Sequence, residues 1–278
     1  MVVPVIVGPT GSGKTGVAVE IAKEVTSRRS EKRLGGVFSD AFESAVEIIS
    51  ADSRTVYRGM DIGTAKPSIN EMGGVSHWGF DLVEPGERFT VKDWKDYTEQ
   101  KIYEIETRNR TPMVVGGTGL YVDALVFDYK FNVLGKRYDK NRGKCIKNLN
   151  DIDYPDRQEM CSKYKVFGIL WQPEELRERL FLRVDKMFRC ELYEETEQLV
   201  KKFGWENKAM TSNVYKFVWK FMQGELTREE AVRLSALEDW HLAKRQMTWF
   251  KRNKSILWLP LEKMKETVVE CIQNEQGK

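Results

Sequence analysis

Eight residues near the start of the chain, Gly8-Pro9-Thr10-Gly11-Ser12-Gly13-Lys14-Thr15, fit the pattern GxxxxGK[ST] and follow an apolar run from Val2 to Val7. Glycines at this spacing let the backbone curl so that several N–H groups point at one phosphate. Lys14 adds a mobile positive charge, and the hydroxyl of Thr15 can hold Mg²⁺. A helix starting here also turns the positive end of its dipole toward the same anion. The protein is therefore expected to bind a phosphate or diphosphate. A carboxylate, Asp52, follows a second apolar run beside Ser53, where it could accept a proton, hold Mg²⁺ or cap a helix. Gly116-Gly117-Thr118-Gly119 follows a third. That loop is a weak phosphate signal, and a tight turn explains it equally well.

These groups need a scaffold. Val2–Val7 reads as a buried strand, and Lys14 to about Thr26 as a helix with Val17, Ile21 and Val25 on one face. Residues 27 to about 40 are charged and glycine-bearing and read as a loop. Glu47–Ala51 and Pro112–Val115 are further strands, separated by a helix from Lys92 to Arg108 that carries Trp94, Tyr97, Ile102 and Ile105 inward. Alternating strands and helices predict an α/β fold, a parallel sheet flanked by helices with ligands beyond the carboxyl ends of the strands. Residues 130 to about 165 are charged and weakly periodic, hence irregular or short-helical. Val166–Leu170 is another strand. Pro173 then opens a helix with Leu176, Leu180, Val184, Met187 and Leu192 on one side and with Arg179 and Arg183 sharing a face. The remainder reads helical, punctuated by Gly204, Gly224 and Pro260. The expected organisation is a core over 1–129, a reduced insertion over 130–165, and the rest of the core with a helical region over 166–278.

Length and composition, 278 residues with 41% hydrophobic and 31% charged, are those of an ordinary soluble protein. No stretch approaches the ~20 apolar residues of a membrane span. With no signal-peptide pattern, a cytoplasmic location is expected, and nothing points to an obligate dimer, so a monomer is expected. Cys145, Cys161, Cys190 and Cys271 are widely spaced and read as buried free thiols. The net charge of +3 does not by itself indicate nucleic acid. Its distribution says more. Lys130, Lys136, Arg137, Lys140, Arg142, Lys144 and Lys147 crowd one segment. Lys244, Arg245, Lys251, Arg252 and Lys254 crowd another around Trp249 and Phe250. Cations beside aromatics suit a phosphate backbone with unstacked bases. The pair His77-Trp78 reads as packing, and His241 as a surface residue.

In order, GPTGSGKT at 8–15, ISADSRTVYRGMDIGTAKPS at 49–68, VVGGTGLYVDAL at 114–125 and AKRQMTWFKR at 243–252 resemble the tRNA dimethylallyltransferases, or tRNA isopentenyltransferases. The resemblance covers most of 1–129 and 170–255. It implies a P-loop fold and transfer of a dimethylallyl group from dimethylallyl diphosphate to the exocyclic amine of the adenosine on the 3′ side of the tRNA anticodon. By the resemblance, Gly8, Thr10, Gly11, Ser12, Gly13, Lys14 and Thr15 hold the diphosphate with Arg179 and Arg183. Thr15 reaches Mg²⁺, directly or through water. Asp52 is the catalytic base, with Lys14, Thr15 and Thr118 also catalytic. Asp52, Ser53, Thr118, Arg142, Lys144, Lys147, Lys216, Lys244, Arg245, Gln246 and Trp249 are expected against the tRNA anticodon stem-loop. The chain departs from the family pattern in several places. Residues 26–46 are long, and the family's helical insertion after GGTGLY is reduced to a stub. Val214 replaces a glycine before Tyr215-Lys216, and Asp239-Trp240 replaces a Thr-Arg pair. A free adenine nucleotide as acceptor, an RNA-binding protein without catalysis, and a small-molecule kinase are the alternatives.

Overall fold

The structure, a computed structural model, describes residues 2–34, 44–131, 138–139, 144–145, 159–211 and 213–276. Strands β1 (Val3–Val7), β2 (Val46–Ala51), β3 (His77–Trp78), β4 (Thr111–Gly116), β7 (Tyr164–Leu170) and β8 (Leu257–Pro260) form one six-stranded sheet in the order β3-β2-β4-β1-β7-β8. All its pairings are parallel. Side chains alternate across it, as the pleat requires. Val3, Val5 and Val7 point into a core with Trp94, Ile102 and Ile105 of α3 (Val91–Thr107) and Tyr121 and Leu125 of α4 (Gly119–Val126). Ile6, Ile48 and Phe167 point into the opposite core with Val17, Ile21 and Val25 of α1 (Lys14–Leu34) and Met264, Val268 and Ile272 of α9 (Leu261–Gln276). Helices α5 (Pro173–Met187), α6 (Leu192–Phe203), α7 (Asn213–Met222) and α8 (Arg228–Phe250) build a third core that fully buries Met60. A short α2 (Ile69–Met72) and an antiparallel pair, β5 (Tyr138–Asp139) and β6 (Lys144–Cys145), complete the described elements.

Several elements differ from expectation. α1 runs through residues predicted as loop. Glu24 and Arg28 pair at 2.7 Å one turn apart, and Arg29 donates to the Ala45 and Asn109 carbonyls and to Thr111 Oγ1, tying the extra turns to the sheet. Leu192 opens α6; it does not continue α5, which stops at Met187. The two-residue β3 and the edge strand β8 escape a periodicity reading, and Pro260 sits in β8 because an edge tolerates a missing N–H. The described part of 130–165 contributes the β5–β6 pair and the start of β7, with no helix. The thiols are corrected too: Cys271 is buried, but Cys161 and Cys190 are exposed. Among the described residues, no helix is long and apolar enough to cross a membrane.

Gly116 ends β4 where it passes β2, and a Cβ there would stand 2.1 Å from the Ala51 carbonyl oxygen. That neighbour is backbone and cannot swing aside. Gly116→Ala is therefore expected to destabilise the fold by about 3 kcal/mol, at the upper end of overpacking costs. The urea midpoint of the variant measures it.

Candidate active site at the carboxyl edge of the sheet

The strand order changes direction at β1, whose neighbours are β4 and β7, so a crevice opens beyond its carboxyl end. A cleft of about 550 Å³ lies there. It is lined by the loop from Thr10 to Gly16, by Asp52, Ser53, Arg54 and Thr118, by Gly63–Ala65, and by Arg179, Arg183, Arg245 and Gln246. Topology thus brings together the three loops that the sequence placed on one edge.

The first loop is a P-loop held from behind. Gly11 and Gly13 have φ of 75° and 82°, the left-handed region that favours glycine. A Cβ on Gly11 would also approach Leu180 Cδ2 to 2.6 Å. Trp171 Nε1 donates to the Ser12 carbonyl at 3.0 Å. Arg179, stacked over the Trp171 ring, donates from Nε to the Gly11 carbonyl at 3.1 Å. The carbonyls of Gly8, Pro9, Gly11 and Ser12 are all taken, while of the loop N–H groups Thr10 donates to Gln246 Oε1 and Ser12 to the Pro9 carbonyl. Lys14 donates from Nζ to the carbonyls of Gly8 (2.9 Å) and Pro9 (2.7 Å). Burial pushes its pKa down to about 8, against the pull of the Asp52 charge, while Arg183 lowers it further. An anion in the cleft would restore its charged form.

The second and third loops are tied to each other. Asp52 Oδ1 accepts from the Arg54 N–H at 2.7 Å, closing a local turn. Ser53 N–H donates to Thr118 Oγ1 at 3.0 Å, and Thr118 Oγ1 donates to Ser53 Oγ at 3.3 Å. Thr118 sits at the N-cap of α4 but makes no side-chain cap bond. Its hydroxyl serves the cleft instead. The wall at Gly63 is fixed by Glu195, which accepts from the N–H groups of Asp61, Ile62 and Gly63 and from the Tyr215 hydroxyl.

Helix α8 closes the cleft. Gln246 accepts from Thr10 N–H at 2.7 Å and donates to the Gly117 carbonyl at 3.0 Å, so one amide clamps two loops. Trp249 packs on Gly119 and donates to Asp123 Oδ2 at 2.8 Å, with Arg252 over its ring. Arg245 reaches the cleft, while Lys244, over the Trp240 ring, is exposed outside its lining. Lys216 is also exposed, beside Phe217. Arg142 and Lys147 lie outside the described residues, and Lys144 is described only as part of β6. Arg183 donates from Nη2 to Asp239 Oδ2 at 2.5 Å, and its Nε is buried with no partner.

Among the lining residues that were not anticipated, His77 and Asp239 stand out. His77, expected as packing, faces the cleft beside Phe80, with Nδ1 on the Val75 carbonyl at 2.8 Å and Nε2 buried without a partner; burial lowers its pKa. It opens a strand of only two residues, too short for a period that could have marked it. Asp239 was noticed only as a departure from a pattern. Among the described residues no three His, Cys, Asp or Glu side chains gather to cage a metal. Thr15 and Asp52 nevertheless offer hard oxygens in the same cleft. A small divalent cation that takes most of its ligands from phosphate and water fits such a sparse set.

A parallel sheet with a backed P-loop and a carboxylate facing it defines a P-loop enzyme acting on a phosphorylated substrate. The IPP transferase family model matches residues 55–160 and 142–253. The chain belongs to this family, that of the tRNA dimethylallyltransferases. It is 35% identical to the tRNA dimethylallyltransferase of Desulforudis audaxviator, over 93% of this chain and 91% of that one. The tRNA isopentenylpyrophosphate transferase structure from Bacillus halodurans superposes with a TM-score of 0.74 at 30% identity, covering 98% of this chain and 96% of that one. The tRNA delta(2)-isopentenylpyrophosphate transferase of Staphylococcus epidermidis gives 0.72 at 28% identity, covering 99% and 98%.

Proposed function

We propose that this protein transfers a dimethylallyl group from dimethylallyl diphosphate to the exocyclic amine of the adenosine 3′ to the tRNA anticodon, releasing diphosphate. The observation that carries this is the meeting of the P-loop with Asp52, Ser53 and Thr118 in one cleft. The diphosphate lies on the P-loop amides, with Lys14, Arg179 and Arg183 as charged donors. As the allylic carbon–oxygen bond breaks, charge grows on the leaving diphosphate, and donors already aimed at it lower the barrier. The amine nitrogen forms the new bond to carbon and gives its proton to Asp52. That proton turns acidic only as nitrogen acquires positive charge, so an ordinary carboxylate suffices. Thr15, with Asp52 nearby, would hold Mg²⁺, which when bound supplies further positive charge to the diphosphate oxygens.

Thr118 and Ser53, tied to each other at the mouth of the second and third loops, meet the adenosine, which must leave its stack to enter. Lys244, Arg245 and Trp249 face the stem-loop with Lys216 and the basic residues Arg142, Lys144 and Lys147. Gln246 acts from behind, holding Thr10 and Gly117 in register. The enzyme acts as a monomer. The Desulforudis match spans 302 aligned positions, more than the 278 residues of this chain, which supports a shortened insertion. A shorter grip raises the second reading, a free adenine nucleotide as acceptor. Incubation with labelled dimethylallyl diphosphate, Mg²⁺ and either unmodified tRNA or AMP separates the two. Label is expected in tRNA; label in AMP alone would replace the acceptor, and label in neither would remove the activity.

A further inference from the structure

Asp52, Glu71 and Asp239 are the carboxylates lining the cleft. Asp52 faces the P-loop, and Glu71 closes the capping box of α2 with Ser68. Asp239 has no place in the chemistry above. It is 5% exposed on α8 and holds Arg183 of α5 at 2.5 Å. A buried carboxylate beside an anion site opposes the ligand the site exists to bind, and its desolvation is itself costly. Arg183 meanwhile keeps a buried Nε–H with no acceptor. Its guanidinium is thus fixed at one donor and unspent at another, an arrangement that suits a bidentate group serving two anions. The cations around the same space, Lys14, Arg54, Arg179, Arg183 and Arg245, outnumber the carboxylates.

Resting on the reading of this cleft as a dimethylallyl diphosphate site, we propose that Asp239 is a positioning and specificity residue: it fixes Arg183 and, through its own charge, weakens the hold on released diphosphate. Free diphosphate carries one more ionisable oxygen than its dimethylallyl ester. A fixed negative charge therefore repels product more than substrate. Such a bias speeds product release, a step that limits many enzymes.

Asp239→Asn keeps an acceptor for Arg183 but removes the charge; Asp239→Thr removes the charge and leaves only a shorter hydroxyl; Asp239→Ala removes charge and acceptor alike. Calorimetry with pyrophosphate and Mg²⁺, together with product inhibition of tRNA labelling, reads the effect. Asn and Thr variants are expected to bind pyrophosphate about ten-fold more tightly than wild type. KM for dimethylallyl diphosphate should fall less, and kcat should fall as release slows. The Ala variant should show a higher KM than the Asn variant, because Arg183 loses its anchor. Pyrophosphate affinities of wild type, Asn and Thr variants within two-fold of one another would overturn the proposal while leaving the site intact. A wild-type protein that binds no pyrophosphate would instead overturn the reading of the cleft, and this proposal with it.

Discussion

Asp52→Ala loses at least ~10²-fold in turnover while the protein still binds diphosphate. The two parts of that result come from different sides of the cleft. In the proposed reaction, binding rests on the P-loop amides and on Lys14, Arg179 and Arg183, and proton acceptance on Asp52 at the end of β2. Asp52 also closes a turn, through Oδ1 to the Arg54 N–H. Alanine removes both the base and the turn contact. Asp52→Asn keeps an oxygen for Arg54 and removes only basicity, so it should lose nearly as much as alanine. Single-turnover transfer to tRNA, with diphosphate affinity measured in parallel, makes the comparison. An asparagine variant at wild-type rate would take Asp52 out of the proton path. A fall confined to the alanine variant would make its role structural.

Lys14→Met lowers kcat by ~10² to 10³-fold, the usual loss when one preorganised donor to a developing anion is deleted. The amine rests on the Gly8 and Pro9 carbonyls, within a loop whose Ser12 and Gly11 carbonyls are taken by Trp171 and Arg179. It reaches an anion on the cradle with little rearrangement. Methionine keeps the bulk and apolar stem without the charge. Lys14→Arg should not rescue, because a planar guanidinium is too broad for the space under the loop. Diphosphate affinity should fall less than kcat, since charge on the leaving group peaks in the transition state. Rates of transfer for Lys14→Met within ten-fold of wild type would show that the backbone amides suffice.

The parts of this molecule that were legible in advance are those with a strong local cause. GxxxxGK[ST] after an apolar run leaves the backbone few options, and Gly11 and Gly13 take the positive φ that the spacing implies. Asp52 and Thr118 were placed by topology, since a parallel sheet gathers its loops on one edge. Pro173 opens α5 as its missing N–H predicts. What stayed hidden depends on pairings across long stretches of chain. Nothing local says that α8 turns Asp239 toward Arg183 or Gln246 toward both Thr10 and Gly117. Gln246 was expected against RNA, yet its amide is engaged by two core loops. A strand of two residues, His77–Trp78, has no period to detect, so His77 could not be told from packing. The extra turns of α1 are anchored by Arg29 on β4 and its approach, not by apolar spacing.

The phosphate cradle near the start of the chain is completed by its far end. Leu261 of α9 lies within 3.6 Å of where a Cβ on Gly13 would stand, α9 covers α1, and Gln246 of α8 grips Thr10. During synthesis the glycine turn leaves the ribosome long before the helices that brace it. Until they arrive, β1 lacks β7 on one side and α1 lacks α9 on its back. Contacts this distant in sequence make for slow folding and prolong the exposure of apolar strands. By the proposed reading, the grip on phosphate is complete only once α8 and α9 have docked on the loop and on α1.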